Sequence, residues 1–172
     1  MNMRKSFLII LVLTLCLLLS AGTALAKPVT ITFWHAMSGS RLGVLESIIE
    51  SFNATHPDFE VKPLFTGSYA ETLTKYVAAY PTKTGPNMVQ VYEVGTQTMI
   101  DSDAITPVYK IPGMLGETWD WAQYVIPITH YYSVDGNLWS MPFNSSTAML
   151  YYNKDLFEAA GLDPNKPPTT WK

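Results

Sequence analysis

Tyr69, Glu93 and the run Asn144-Ser145-Ser146-Thr147 are the residues of this sequence whose types could do chemistry. Tyr69 follows Gly67 and Ser68 in a turn, and offers a ring face with a hydroxyl tip. Glu93 closes the apolar run Met88–Tyr92 and brings a carboxylate that accepts hydrogen bonds. The run 144–147 sets small hydroxyl and amide donors side by side. Such groups on loops suit the capture of a polar or anionic small molecule. Glu93 would accept bonds from the hydroxyls of a polyol and would repel a phosphate. Its alternative role is a charge at the start of a helix over Thr96–Ser102. For Ser145, Ser146, Asn144 and Thr147 the alternative is hydrogen bonding within the loop. Trp34 and His35, at the end of the first predicted strand, either wall a cleft or pack.

Other chemistries find no footing. His35, His56 and His130 have no metal-ligand spacing, and no HExxH helix or cysteine cluster exists. There is no GxSxG elbow and no phosphate-cradling Walker loop. Glu93 and Asp155 resemble a glycosidase pair only superficially, because Asp155 reads better as a helix-start residue. No catalytic residue, metal or cofactor is therefore expected. No basic stretch points to nucleic acid.

Several elements must position these residues. Val29, Ile31 and Phe33 alternate with polar neighbours and predict a strand. Leu42, Leu45, Ile48, Ile49 and Phe52 are spaced as one face of a helix. Phe59–Leu64 reads as a second strand. Ser68 can cap a helix carrying Leu73, Tyr76, Val77 and Tyr80. Met88–Tyr92 is a third strand and Thr96–Ser102 a short helix. This β-α-β-α-β order implies a parallel sheet flanked by helices. Ligands of such sheets bind beyond the carboxyl ends of the strands, where Trp34–Met37, Gly67–Tyr69 and Glu93–Gly95 all fall.

Residues 107–125 look irregular, with Trp119 and Trp121 as packing groups. Asp135-Gly136-Asn137 signals a hairpin between arms at 131–134 and 138–141. Ala148–Tyr152 is short and β-leaning, which predicts a buried strand. Asn153 or Asp155 can then cap a helix that Gly161 ends. Thr170 marks a further helix start.

The composition is that of a globular chain: 172 residues, 48% hydrophobic and 15% charged. Aromatic residues reach 13%, including ten tyrosines, which suits a polar cleft with stacking faces. Arg4 and Lys5, the apolar run Phe7–Leu19 and the small–x–small pattern Ala24-Leu25-Ala26 predict a signal peptide over residues 1–26. The apolar run is shorter than the ~20 residues that span a bilayer. Cys16 lies inside it, behind the bulky Leu15, so no lipoprotein site and no thiol chemistry is expected after cleavage. The processed chain carries 9 basic and 14 acidic residues, a net charge of −5.

The motifs FWHAMSG (33–39), GSYAETL (67–73), VYEVGTQTM (91–99), PFNSST (142–147), LYYNKDLFEAAGLDP (150–164) and PPTTW (167–171) together resemble those of solute-binding proteins of ABC importers, family 1. YEVGT with NSST is closest to the branch of that family that takes glycerol 3-phosphate. The resemblance implies a two-lobed, type II periplasmic-binding α/β fold. It implies residues 27–147 as the first lobe, and 148–172 as the hinge crossing and the start of the second. Relatives are longer, so an N-terminal fragment is expected, poorly soluble or partly molten by itself. Tyr69 matches the tyrosine of the family's GNY-type element, with Ser68 in place of asparagine, and Ser146 matches the second serine of NSST. Both positions contact ligand in the family. The implied protein is a monomer exported to the periplasm or beyond, which captures glycerol 3-phosphate or a glycerophosphodiester and delivers it to ABC permease subunits. An oligosaccharide-binding relative and a secreted hydrolase are the alternatives.

Overall fold

A computed structural model describes residues 27–170. The signal-peptide reading, Cys16 and the continuation of a helix past Thr170 lie outside these residues. The chain divides into two compact units, one ending at Ile105 and the other starting at Thr106. The crossing expected at 147/148 falls inside the second.

The first unit is built on three parallel strands in the order β2-β1-β3. Strand β1 (Val29–His35) is central, as its alternation of apolar and polar residues allows. Strand β2 (Phe59–Phe65) pairs along its whole length, from Val29↔Phe59 to His35↔Phe65. Strand β3 (Met88–Val89) is only two residues long, pairing Phe33↔Met88 and Trp34↔Val89. The five-residue strand expected there, Met88–Tyr92, is cut short at its far end, where the Gln90 side chain and not a backbone carbonyl accepts from the Ala36 N–H at 2.9 Å. At its near end a side chain also stands in for backbone pairing. Asn87 Oδ1 accepts from the Thr32 N–H at 2.9 Å. On the outer side of β2, the Asn53 amide donates to the Val61 carbonyl at 3.1 Å and accepts from the Val61 N–H at 2.8 Å. One side chain thus covers part of an otherwise open edge.

Helix α1 (Ser40–Thr55) places Leu45 and Ile49, four residues apart, against Phe33, Met37 and Val61 to form the core cluster. Burying each such side chain is worth about 1.5–3 kcal/mol. Ile48, read as part of that face, is 59% exposed. Helix α2 (Tyr69–Ala79) begins with a capping box in which the Ser68 hydroxyl accepts from Glu71 N–H and the Glu71 carboxylate accepts from Ser68 N–H. It buries Thr72, Tyr76 and Ala79 rather than Val77 and Tyr80, which stay about half exposed. The reason is polar: Thr72 bonds Thr66 at 2.7 Å and Tyr76 donates to the Ala104 carbonyl at 2.6 Å, so these face inward. A single 3₁₀ turn (Glu93–Gly95) leads into helix α3 (Thr96–Ser102), whose extent is that expected from sequence.

The second unit is mostly short elements. Helices α4 (Ile111–Leu115) and α5 (Ile126–Tyr131) precede the hairpin strands β4 (Ser133–Val134) and β5 (Asn137–Leu138). Asp135 and Gly136 have φ of 51° and 75°, the left-handed pair that a two-residue hairpin loop requires. Trp119 and Trp121 pack edge to face on each other. Residues 148–152 form no strand, and Met149, Leu150 and Tyr151 are exposed. A strand needs a partner for its N–H and C=O groups, and among the described residues none pairs with this segment. Asn153, not Asp155, caps helix α6 (Lys154–Ala159), accepting from the N–H groups of Asp155 and Leu156. Gly161, at φ 73°, follows it.

Candidate functional site

The strand order 2-1-3 carries a functional consequence. The chain leaves β1 toward β2, then crosses back to β3 on the other side of β1. The carboxyl ends of β1 and β3 therefore flank a switch point, where open α/β sheets leave a crevice for ligand. Trp34, His35, Tyr92 and Glu93 follow or end these two strands.

Tyr69 comes from the neighbouring end of β2. Gly67, at φ 107°, turns the chain there, and a Cβ at Gly67 would run into the Glu71 carboxylate that closes the capping box. The turn thus fixes Tyr69 at the first position of α2. Tyr69 packs on the core cluster on one side. Its ring stacks on Tyr92, with centroids 5.8 Å apart and planes 17° from parallel. Glu93, the next residue, is exposed at the start of the 3₁₀ turn. A carboxylate therefore stands one residue from an aromatic stack, with no burial cost to offset. Both readings of Glu93 stay compatible, since the 3₁₀ turn runs straight into α3.

Trp34 is half-buried and its carbonyl accepts from the Gln90 N–H at 2.9 Å. His35 is different. It is 1% exposed, with its ring between those of Phe33 and Phe65, and its Nδ1 accepts from the Met37 N–H. Of its two sequence-based roles the structure places it in packing. Burial holds its pKa below the ordinary 6.5, against a smaller opposing pull from Glu46.

Behind Tyr69 a polar network fixes the β2 exit. The Thr66 N–H and hydroxyl both donate to the His35 carbonyl, and Lys75 Nζ donates to the Thr66 carbonyl at 2.6 Å. Sequence reasoning passed over Gln90, Tyr92 and Lys75. Gln90 had a signal, being an amide inside an apolar run, and Tyr92 had one in its adjacency to Glu93.

In the second unit Asn144, Ser145, Ser146 and Thr147 are all exposed on a loop without regular structure. The Tyr132 hydroxyl donates to the Asn144 carbonyl at 3.0 Å and steadies the loop's beginning. A pocket of about 200 Å³ is lined by Tyr124, Val125, Ile128, Pro142, Phe143, Asn144 and Ser145. Ser146 and Thr147 lie outside that lining. Tyr69 and Glu93 meet through Tyr92 in the first unit, Trp34 lies near the end of β1 in the same unit, and the donors of 144–147 belong to the second.

These positions hold donors, acceptors and aromatic faces. Residues 38–172 match the family described as bacterial extracellular solute-binding protein. The chain belongs to this family. Membership makes it an extracytoplasmic solute-binding protein of α/β, type II architecture. It is 46% identical over 153 residues to the sn-glycerol-3-phosphate-binding periplasmic protein UgpB of Salmonella typhi, an alignment that covers 88% of this chain and 35% of that protein. The protein of the same name from Escherichia coli K12 is 47% identical over 145 residues, covering 83% of this chain and 33% of its own length. The chain thus spans about a third of the curated relatives it matches. The crystal structure of UgpB from Mycobacterium tuberculosis in complex with glycerophosphocholine superposes with a TM-score of 0.67 at 27% identity, covering 85% of this chain and 36% of that one. This chain's exposed carboxylate, stacked tyrosines and loop hydroxyls are groups that can bond a small polar molecule.

Proposed function

We propose that this chain is the ligand-capturing component of an ABC importer for glycerol 3-phosphate or a glycerophosphodiester, acts as a monomer, and delivers its ligand to membrane permease subunits. The observation that carries the reading is the 46% identity over 153 residues to proteins named for binding sn-glycerol 3-phosphate. The geometry is compatible with it. Glu93 accepts hydrogen bonds from the glycerol hydroxyls, and its charge keeps the phosphate away from that end. Tyr69, braced by Tyr92, offers a ring and a hydroxyl to the ligand. Ser146, with Asn144 and Ser145 beside it, donates neutral hydrogen bonds to the ligand. Trp34 adds an apolar wall. His35 acts from within, by holding the backbone next to Trp34.

Closure of two lobes about a hinge near residues 147–150 completes the capture. The absence of secondary structure over 148–152 is what a hinge needs. The test is calorimetric titration of the intact protein with glycerol 3-phosphate, glycerophosphocholine and maltose. Saturable binding of either phosphate compound and none of maltose supports the reading. Binding of maltose alone moves the protein to the sugar-binding branch.

A further inference from the structure

Strand β1 ends at His35, and the next two backbone N–H groups find side-chain acceptors instead of a strand. The Ala36 N–H donates to Gln90 Oε1 at 2.9 Å, and the Met37 N–H donates to His35 Nδ1 at 3.1 Å. Gln90 is itself pinned to β1, through its N–H on the Trp34 carbonyl at 2.9 Å. His35, Met37 and Gln90 are 1%, 3% and 7% exposed. A buried N–H left without an acceptor is costly, so these two acceptors decide where the backbone of 36–39 runs. That stretch leaves the switch point between β1 and β3, directly after His35.

We propose that Gln90 and His35 are positioning residues that hold the loop 36–39 in its ligand-facing course, and that protonation of His35 releases the Met37 end of it. The word ligand-facing rests on the function proposed above; the coupling of the ring to the loop does not.

A ring that accepts at Nδ1 carries its proton on Nε2. The imidazolium donates from both nitrogens, so its Nδ1–H would meet the Met37 N–H donor to donor. The bond therefore exists only with the neutral ring. Burial favours that form and Glu46, on α1, opposes it. Helix α2 contributes Lys75, bonded to the Thr66 carbonyl, and Tyr69, packed on the same core. Phe65 from β2 and Gln90 beside β3 do not titrate. Because the folded ring binds its proton less readily than the unfolded one, the bond's contribution is complete above pH 6.5. It is lost as the pH falls from there through the lower folded value.

The experiment follows the Ala36 and Met37 amide signals and the His35 ring nitrogens of the intact protein by ¹⁵N NMR, from about pH 7.5 to about pH 5. The Met37 amide is expected to move with the midpoint of the His35 ring, while Ala36, held by Gln90, does not. His35→Asn keeps an acceptor near Nδ1 and does not titrate, so its Met37 amide should be flat. Gln90→Met should lose about three- to ten-fold of the Ala36 exchange protection, and Gln90→Glu should restore it. Glycerol 3-phosphate is titrated into the same samples. The phosphate of the ligand itself titrates at about pH 6 and affects both proteins alike. From neutral to acid pH, affinity should therefore weaken about three- to ten-fold more in the wild type than in His35→Asn. A Met37 amide indifferent to His35 overturns the lock. A lock that titrates while affinity changes alike in both proteins overturns its positioning role. A lock that titrates in a protein that binds no glycerol 3-phosphate at any pH supports the coupling and sinks the functional reading.

Discussion

The ring of Tyr69 lies offset-stacked on that of Tyr92, centroids 5.8 Å apart and planes 17° from parallel. Tyr69 opens α2 and Tyr92 precedes the turn that carries Glu93, so the stack ties two strand exits into one surface. An aromatic pair of this kind is worth about 0.5–1.5 kcal/mol beyond its area. Tyr92→Leu should therefore lower stability by about that amount and weaken glycerol 3-phosphate binding, whereas Tyr92→Phe should do neither. Thermal melts and calorimetry on the same preparations check this. Equal affinity in Tyr92→Leu and the wild type would remove the stack from the account of the site.

Ser68→Ala deletes one half of the capping box of α2 and should cost about 1 kcal/mol. The other half responds to pH. The backbone N–H of Ser68, then its hydroxyl, hold the Glu71 pKa below the usual 4.5. A lowered folded value means that this cap stabilises fully above pH 4.5 and is lost as the pH falls through the folded value. Denaturant melts across that range should show a shallower acid slope in Glu71→Gln than in the wild type.

Two glycines should fail on substitution for different reasons. Gly136 has φ 75° and open space where a Cβ would stand, so Gly136→Ala pays only for a left-handed backbone, about 1 kcal/mol. Gly95 has an ordinary φ of −83°, but a Cβ there would meet Val91 Cγ1 at 2.7 Å and Leu73 Cδ2 at 3.0 Å. Gly95→Ala should cost more, about 1–3 kcal/mol, and the loss should shrink in the double variant with Leu73→Ala, which vacates part of the space. Equal losses in both single variants would contradict the close approach at Gly95.

Local rules were legible wherever the decisive contacts were local. Ser68 announced the start of α2, Thr96–Ser102 matched its helix, and Asp135-Gly136 announced the hairpin turn. The carboxyl-end loops were legible because the β-α-β-α-β order alone places them. What escaped depended on distant partners. Ala148–Tyr152 has strand composition, yet pairing is a property of two segments and not of one. Val77 has helical spacing, but Thr72 took an inner position of α2 through its hydrogen bond to Thr66, and on α1 Leu45 and Ile49 fill the core while Ile48 stays exposed. For His35 the sequence left cleft wall and packing open, and only its burial and its Nδ1 bond set it inside. Gln90 acts through a backbone N–H 54 residues away, which no spacing rule reaches.

The most direct test of the account is calorimetric titration of glycerol 3-phosphate into the intact wild-type protein and its Glu93→Gln variant, with thermal melts alongside. Charge-assisted hydrogen bonds from the glycerol hydroxyls to Glu93 predict saturable wild-type binding and a loss of about ten- to a hundred-fold in the variant, with its melting temperature unchanged. No saturable binding by the wild type, or unchanged affinity with a lowered melting temperature in Glu93→Gln, would contradict it.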